Sequence, residues 1–535
     1  MTTTLFLGIV IYSFIFLIGI INRLFKYWKW WGKFCFSLAI FLAIGYVSAL
    51  SFLFYSSEIF LTKFLLALVL FASIFSFSFF LLEMFTVLNV MARKSWRTIP
   101  KFEENPIQPY TPMVSIHIPV CNEPPEVVIA TLNSIKKLDY PFFEVIVVDN
   151  NTTKEELWKP VEAHCKKLGP RFRFFHFDKL TGAKAGALNF ALKETHPHAE
   201  IIVVVDSDYQ VKPNFLKDLI PYFQNQKLAI IQTPQDYRDF LPGAYSKNCF
   251  FEYRYFFSFI MSSCNEYNAA SFMGTMGLIR KKMLTSIKRW SEWCITEDTE
   301  LGIRIHQNKF FTIFRDESFG KGLMPFEFRD YKKQRKRWVF GNMQIIKRNL
   351  KNLFWSSKLK LHQKISYLAQ LTVWFNNLLL ISFILFGLAF LNLIGIKINN
   401  LIIGSAALLL FIFLFSKCLI FLLAFRKKEK ISLKESLGAL LSHLSLSWPM
   451  ATAWWLAFFS PEGKFWRTPK YPHPSPIMNR ISTIKWELFF FTLSALLGFL
   501  LLINGKLFLA FLLFILTLLI YFPPLLATMR YSSKI

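Results

Sequence analysis

The sequence predicts an α/β domain with a doubly wound, mostly parallel sheet, inserted between two groups of transmembrane α-helices. The chain has 535 residues, 54% of them hydrophobic, and its mean hydropathy is +0.37, which is too apolar for an ordinary soluble protein. Several apolar runs approach the roughly 20 residues that span hydrocarbon. Between them, the polar region from about 110 to 345 alternates β-branched runs with helical patterns, as expected for a parallel sheet covered by helices.

Apolar runs define the predicted membrane regions. They lie at 4–21, 34–54, 60–83, 366–393, 401–425, 484–503 and 507–525. The first run has no basic stretch before it, so it is interpreted as a retained helix. A further run at 436–459 contains Ser442, His443 and Pro449, which are costly in hydrocarbon, and it is predicted as an interfacial or re-entrant helix. The predicted regions are 1–91 with three transmembrane helices, 92–360 as the α/β domain, and 361–535 with about four transmembrane helices, the 436–459 helix and a loop at 460–480.

Basic residues flank the predicted spans. Lys and Arg number 62 against 34 Asp and Glu, for a net charge of +28, and they cluster at positions such as Arg23, Lys94 and Lys427. The positive-inside rule then places the α/β domain in the cytoplasm and the N-terminus outside, in an inner or plasma membrane. The lipid bilayer is an expected partner, and nucleic acid is not, because the charge follows the membrane flanks and no nucleic-acid module is present. The seven cysteines lack metal-ligand spacing and are expected to be reduced.

The order of the α/β elements places acidic residues at one edge of the sheet. The predicted strands are 113–120, 144–149, 171–177 and 201–206, and the predicted helices are 124–138, 154–168 and 183–194. Ligands of such sheets bind outside the carboxyl ends of the strands. Asp149 and Asp206 both lie at such ends, where each is either a ligand-binding residue or a helix cap.

Three motifs in this region carry chemistry. They are Asp206-Ser207-Asp208, Thr296-Glu297-Asp298 and Gln334-Arg335-Lys336-Arg337-Trp338. Paired carboxylates after an apolar strand suit a hard divalent cation, Mg²⁺ or Mn²⁺, which neutralises a leaving diphosphate. Another carboxylate can accept a proton from an attacking hydroxyl, and an Arg fork matches phosphate oxygens. Together the motifs predict sugar transfer from a nucleotide diphosphate at a membrane surface.

The ordered set of motifs resembles the family 2 (GT-A fold) glycosyltransferases, of the membrane-embedded processive kind that includes cellulose, chitin and hyaluronan synthases. The resemblance covers about 112–345. Besides the three motifs above, the matching stretches are Pro119-Val120-Cys121-Asn122-Glu123, Val147-Val148-Asp149-Asn150, Lys184-Ala185-Gly186-Ala187-Leu188-Asn189, Gln232-Thr233-Pro234-Gln235 and Phe272-Met273-Gly274-Thr275. The resemblance implies a GT-A fold for the α/β domain.

The resemblance also assigns roles to single residues. Asp208 is the first expected metal ligand, and Asp206 is expected to reach the metal through water or to contact the nucleotide ribose. Asp298 occupies the position of the catalytic base. The positions that match nucleotide-binding residues of the family are Asn122, Glu123, Asp149 and Lys184. With one base and no second nucleophile, the expected reaction is a single displacement that inverts the sugar and gives β linkages.

Further positions are expected to contact diphosphate or acceptor. Gln334 and Arg337 match diphosphate-binding positions, Trp338 offers an aromatic face for an acceptor sugar, and Gly274 and Thr275 match the loop at the acceptor entrance. About half of Lys332, Lys333, Arg335 and Lys336 are expected only to mark a membrane-facing surface.

The loop containing Arg467, Thr468 and Lys470 lies where cellulose synthase has its gating loop, although its Arg-Thr-Pro-Lys form is closer to mannan-synthase-like relatives. The three side chains are expected to contact donor phosphates. Trp374, Asn376 and Asn377 are predicted to share one transmembrane helix.

The leading hypothesis is a processive polysaccharide synthase that transfers hexose from UDP-glucose to a growing β-glycan and exports it. Two alternatives remain open: use of GDP-mannose as the donor, and non-processive transfer to a membrane lipid, as in enzymes similar to ceramide glucosyltransferase. A third, from another class, is an inactive relative that serves as a scaffold or export pore. Export or accessory protein partners are not defined by the sequence.

Overall fold

The central sheet has seven strands and lies in the middle of the chain. The structure, a computed structural model, describes residues 3–97, 110–240, 245–375, 378–396, 398–460 and 476–530. The sheet order is β3-β2-β1-β4-β8-β6-β9, and only β8 runs antiparallel to its neighbours in this described sheet. The strands are β1 (Met113–Val120), β2 (Phe143–Asn150), β3 (Phe172–Phe177), β4 (Ala199–Val204), β6 (Leu228–Gln232), β8 (Gly277–Arg280) and β9 (Phe311–Phe314). This confirms the predicted mostly parallel sheet.

Helices cover both faces of this sheet. Every residue of β2 is buried, as expected for a parallel strand between two helical layers, and apolar side chains of the sheet and helices form contiguous cores on both sides. The helices of this domain are α4 (Pro125–Lys136), α5 (Glu155–Leu168), α6 (Ala183–Glu194), α7 (Phe215–Leu219), α10 (Lys281–Ser286) and α11 (Glu297–Gln307). A small second sheet, with order β5-β10-β7, comprises β5 (Gln210–Val211), β7 (Tyr237–Arg238) and β10 (Gly320–Leu323).

Apolar helices precede and follow the α/β domain. Within the described residues, five helical stretches are long and apolar enough to cross a membrane: Trp30–Ser56, Phe60–Met91, Asn400–Glu429, Lys485–Ile503 and Leu507–Arg530. The component helices are α1 (Thr3–Leu24), α2 (Trp30–Ser56), α3 (Phe60–Met91), α14 (Leu378–Leu393), α15 (Asn400–Leu419), α16 (Arg426–Glu429), α20 (Lys485–Ile503), α21 (Leu507–Leu516) and α22 (Phe522–Arg530), with π-helical turns at Ile420–Phe425 and Thr517–Tyr521. Side chains of α2, α3, α14, α15, α20 and α21 share one apolar core, and α1 packs against α2 and α3 in a separate apolar cluster.

Seven further helices of the described residues join the α/β domain to this helical bundle. They are α8 (Ser246–Tyr255), α9 (Ser262–Glu266), α12 (Phe328–Trp355), α13 (Leu361–Thr372), α17 (Leu433–Ser445), α18 (Ser447–Phe459) and α19 (Ile477–Ser482). The predicted continuous helix at 366–393 was wrong, because α13 ends at Thr372 and α14 begins at Leu378. Trp374 lies in this break and stacks on Phe256. The hydropathy of 366–393 is typical of one continuous helix, so it did not reveal the interruption. The run 436–459 likewise forms two helices.

Buried ion pairs connect helices that lie where the α/β domain meets the bundle of apolar helices. Lys332 of α12 bonds to Glu487 of α20 and donates to the carbonyl of Thr483 at 2.7 Å. Arg335 pairs with Glu252 of α8, and both are almost fully buried. Of the four basic residues of which about half are expected only to mark a membrane-facing surface, Lys332 and Arg335 are buried in ion pairs, while Lys333 is exposed and Lys336 is partly exposed. A paired, hydrogen-bonded ion is the form in which charge can be buried in a protein.

Candidate active site

A cleft of about 460 Å³ opens at the carboxyl ends of β1, β2 and β4. Its floor comes from the loops that follow these strands, and its far wall comes from α11 and α12. The predicted site residues that line it are Asn122, Glu123, Lys184, Asp206, Asp208, Gly274, Asp298, Gln334, Arg337 and Trp338. Three sequence motifs separated by about ninety and about forty residues are thus brought to one cavity.

Lys184 connects Asp206, which follows β4, with the loop that follows α9. Its Nζ lies 2.6 Å from Oδ1 of Asp206 and donates to the carbonyl of Gly274 at 2.8 Å. The backbone N–H of Asp206 donates to the Thr275 hydroxyl at 3.0 Å. Burial opposes the charge of Lys184, but the Asp206 carboxylate outweighs it and the pKa of the lysine is raised. Lys184 therefore remains a cation beside the acidic residues.

Asp208 is held against the small sheet. Its side chain is buried, and Oδ2 accepts a 2.6 Å hydrogen bond from the backbone N–H of Leu323 on β10. Asp206 and Asp208 both line the cleft, and carboxylate oxygens suit Mg²⁺ or Mn²⁺. In the described part of the chain, no group of three or more His, Cys, Asp or Glu residues is placed to hold a metal. The two aspartates fit a divalent cation that would be held by their carboxylates together with oxygens of a diphosphate.

Asp149 lies behind the residues that line the cleft and does not line it itself. It is buried at the end of β2, accepts a hydrogen bond from the Thr152 hydroxyl at 2.7 Å and lies 2.7 Å from Nδ1 of His176. The Thr152 oxygen in turn accepts the backbone N–H of Asn122 at 2.8 Å. Burial raises the pKa of Asp149, and the bonds from Thr152 and His176 work against this shift. Asp149 therefore fixes the loop that carries Asn122.

Asp298 stands at the start of α11, where the cleft narrows. Its Oδ1 accepts the backbone N–H of Thr299 at 2.7 Å, and the side chain is partly exposed to the cavity. Burial raises the pKa of Asp298, and the positive charge of Lys184 works against this shift. Burial and the adjacent Asp298 also raise the pKa of Glu297. A carboxylate with a raised pKa is a better proton acceptor than an ordinary surface aspartate.

A smaller chamber of about 70 Å³ continues from Asp298 toward the membrane helices. Asp298 and Trp338 line both cavities, so the two meet at the carboxylate. The chamber walls are aromatic rings and amides. They comprise Tyr253, Phe256, Phe257, Trp338 and Trp374 together with Gln235, Asn342 and Gln370. The carboxylate thus lies between a charged cleft and an aromatic chamber.

The structure brings together most of the predicted site residues, and it adds others. Asp149 and Thr275 support the cleft from behind, while Arg467, Thr468 and Lys470, like Asn376 and Asn377, lie outside the described residues. Sequence reasoning gave no role in the site to Gln235 or Arg335, although both belong to motifs that it quoted, and it did not place Tyr253 or Trp374 in one cavity with Asp298. The signal at Tyr253 was weak, because aromatic residues are frequent throughout this chain, with 62 Phe alone.

Comparison with known proteins agrees with this geometry. Residues 115–287 match the family model of glycosyl transferase family 2, and residues 285–437 match that of cellulose synthase. A probable glucomannan 4-beta-mannosyltransferase of Arabidopsis thaliana is 27% identical over 264 residues, 48% of this chain and 49% of the relative. A beta-monoglucosyldiacylglycerol synthase of a Nostoc species is 28% identical over 277 residues, 50% of this chain and 57% of the relative. The match thus spans about half the length of these relatives.

A solved structure shares the fold. A mannosyltransferase from Pyrobaculum calidifontis, in complex with GDP-mannose and Mn²⁺, superposes with a TM-score of 0.50 at 17% identity and covers 71% of this chain and 98% of its own. At that identity the likeness supports the fold alone, and it agrees with the predicted GT-A architecture. Residues 115–287 thus form a glycosyl transferase family 2 domain and residues 285–437 a cellulose synthase-like region, in a chain whose described part carries five helices long and apolar enough to cross a membrane.

Proposed function

We propose that this enzyme is an inverting, metal-dependent polysaccharide synthase, which transfers hexose from UDP-glucose to a growing β-glycan and passes the product across the membrane. The observation that carries the proposal is the chamber between Asp298 and the membrane helices. Its aromatic faces and amides suit sugar rings and hydroxyls, whereas the acyl chains of a lipid would be expected to favour purely apolar walls. The proposal also places the catalytic domain in the cytoplasm and the N-terminus outside.

The geometry supports a single displacement. The attacking hydroxyl of the acceptor gives its proton to the Asp298 carboxylate while its oxygen forms a bond to C1 of the donor sugar. The bond from C1 to the diphosphate oxygen breaks, and its electron pair leaves with the diphosphate. Lys184 and Arg337 face this side of the cleft and stabilise the leaving charge. A divalent cation held by Asp206 and Asp208 would supply further electrostatic stabilisation of the diphosphate.

Two alternatives have specific support. The 27% identical plant relative is named a mannosyltransferase, which favours GDP-mannose as a second candidate donor. The 28% identical Nostoc relative is named a diacylglycerol-glycolipid synthase, which favours a lipid acceptor. Both alternatives use the same cleft and the same base, so they differ from the proposal in the donor or the product and not in the chemistry.

Product analysis is the direct test. Purified protein would be incubated with Mg²⁺ or Mn²⁺ and radiolabelled UDP-glucose or GDP-mannose, and the products separated into polymer and lipid fractions. We expect a polymer of high molecular weight from UDP-glucose, lost in Asp298→Asn and retained in Asp139→Asn. Asp139 forms an exposed pair with Lys217, far from the cleft. A labelled lipid with no polymer would reject the synthase proposal, and polymer from GDP-mannose alone would correct the donor.

Metal dependence provides a second prediction. We expect chelation by EDTA to abolish transfer and Mg²⁺ or Mn²⁺ to restore it. Asp208→Asn should raise the metal concentration that gives half-maximal activity by at least about 10-fold, since loss of a residue that only orients a metal ligand already costs about 10–100-fold in affinity. The Asn oxygen can still accept the Leu323 N–H, so folding should be retained. The measurement is a metal titration of activity, with Asp139→Asn as the control; an unchanged titration for Asp208→Asn would exclude it as a ligand.

A further inference from the structure

Arg335 is a buried cation in the wall of the chamber beside Asp298. Its side chain is 0% exposed. One nitrogen, Nη2, bonds to Oε2 of Glu252 and donates to the Tyr331 hydroxyl at 3.1 Å. The guanidinium carbon lies 4.0 Å from the ring centroid of Tyr253 and 4.3 Å from that of Trp374. The cation is therefore fixed in position by one carboxylate and by surrounding aromatic faces.

The other nitrogens of this guanidinium have no partner. Nε and Nη1 of Arg335 are buried and make no hydrogen bond with any described residue, and the same is true of the Tyr253 hydroxyl and Oγ1 of Thr296. All three residues line the chamber. Most buried polar groups in proteins are hydrogen-bonded, so a cluster of unpartnered ones around one cavity needs an explanation. A ligand that carries hydroxyl groups would satisfy them.

The nearby amides are already engaged. Nε2 of Gln370 donates to the carbonyl of Ala269 at 2.7 Å, and Nε2 of Gln235 donates to the carbonyl of Met273 at 2.8 Å. Their side chains are oriented by the protein before any ligand arrives. Arg335 differs from them because it carries two donors in a rigid, charged fork that the protein does not use.

We propose that Arg335 determines acceptor specificity by donating hydrogen bonds from Nε and Nη1 to hydroxyls of the acceptor's terminal sugar, with the hydroxyls of Thr296 and Tyr253 completing the polar set. This inference rests on the proposed function, because it assigns a polyhydroxylated acceptor to the chamber. Glu252 serves as a positioning residue that holds the guanidinium in place. The fork is buried at the chamber wall next to the base, so an acceptor lacking these hydroxyls would leave its N–H groups unsatisfied.

A purely structural role for Arg335 makes different predictions. If the ion pair with Glu252 only supported α12, its loss would lower stability and impair every activity of the enzyme alike. If Arg335 bonds to the acceptor, its loss would affect transfer to sugar and leave hydrolysis of the donor by water unchanged. Comparing KM for a soluble oligosaccharide acceptor with KM for the donor therefore separates the two roles.

The test uses Arg335→Lys in the full-length protein. Lysine retains the charge opposite Glu252 but lacks the planar fork. We expect the KM for an oligosaccharide acceptor to rise roughly 10- to 100-fold, as for the loss of hydrogen bonds to a charged donor, while the donor KM and the rate of donor hydrolysis change little. The matched control is Arg254→Lys, which alters another arginine paired with two carboxylates, those of Asp316 and Glu429, outside the two cavities.

The double variant Arg335→Met/Glu252→Gln removes both charges and guards against misfolding caused by an unpaired ion. It should show the same rise in acceptor KM with donor hydrolysis retained. Equal loss of hydrolysis and transfer in both variants, or an unchanged acceptor KM in Arg335→Lys, would overturn the inference. If the wild type extends no oligosaccharide but glycosylates a lipid, the proposed function itself fails, before any variant is considered, and the sugar-binding role of Arg335 fails with it.

Discussion

Asp298→Asn should lower the turnover of sugar transfer by about 10²- to 10⁴-fold, which is the usual contribution of a positioned general base. The amide has nearly the same shape as the carboxylate, and its oxygen can still accept the N–H of Thr299, whose bond to Asp298 is 2.7 Å long. It cannot accept the proton of the attacking hydroxyl. Donor binding depends on other residues of the cleft, so the donor KM should change little. Steady-state kinetics of polymer formation would measure both constants.

The neighbouring carboxylate provides the matched control for this variant. Glu297→Gln changes a buried acid on the same helix, but the proposed proton transfer does not use it. Its turnover should therefore exceed that of Asp298→Asn by a wide margin. If Glu297→Gln were the more damaged variant and Asp298→Asn retained turnover, the base would have been assigned to the wrong residue.

The pH profile of the wild type should agree with this assignment. A general base must be ionised to act, and burial raises the pKa of Asp298, the proposed base, above its ordinary value of 3.8. Activity should therefore fall as the pH drops through a value higher than that of an exposed aspartate. The acidic limb should be absent from the residual activity of Asp298→Asn. Finding the same limb in that variant would assign it to another group, with Glu297 as the first candidate.

The strands and the cleft were predictable because both depend on local sequence. Runs of β-branched residues predicted the central residues of β1 and β2. In the structure β2 is one residue longer at each end than the predicted 144–149. Asp206 follows β4, which ends at Val204, so the rule that ligands bind at the carboxyl ends of parallel strands placed it correctly. The order of strands β4, β8 and β6 was not predictable, because it arises from pairings distant in the chain.

The chamber was not predictable for the same reason. Arg335 is 83 residues away from its partner Glu252, and Trp374 lies in a stretch whose hydropathy is typical of one continuous helix. A basic run such as 332–337 most often lies on a surface. Here the run lies on a helix, so residues three apart share a face: Lys332 and Arg335 are buried, while Lys333 is exposed. Sequence gives this periodicity, but only the packing of α8 and α20 against α12 decides which face is buried.

Gly274→Ala should reduce turnover by about 100-fold with a modest loss of stability. The residue has φ of +78°, and a Cβ there would lie 2.8 Å from Oδ2 of Asp298 and 3.4 Å from Nζ of Lys184. A left-handed backbone costs an alanine about 1 kcal/mol, and relief of the contact would displace the carboxylate. A shift of about 1 Å at a reacting group can cost two orders of magnitude in rate. Turnover and thermal unfolding should be measured together.

Gly169→Ala separates backbone strain from the contact with the base. Gly169 also has a positive φ, +100°, but no atom lies within 4 Å of a Cβ built on it, and it ends α5 on the far side of the domain. Its φ and ψ of +100° and −177° are essentially restricted to glycine, so its alanine variant should lose at least as much stability as Gly274→Ala and keep full turnover per folded molecule. Equal loss of turnover in the two variants would mean that strain accounts for the effect at Gly274. Loss at Gly274 alone would show that the enzyme needs a residue without a side chain where this loop passes Asp298, because a Cβ there would displace the carboxylate.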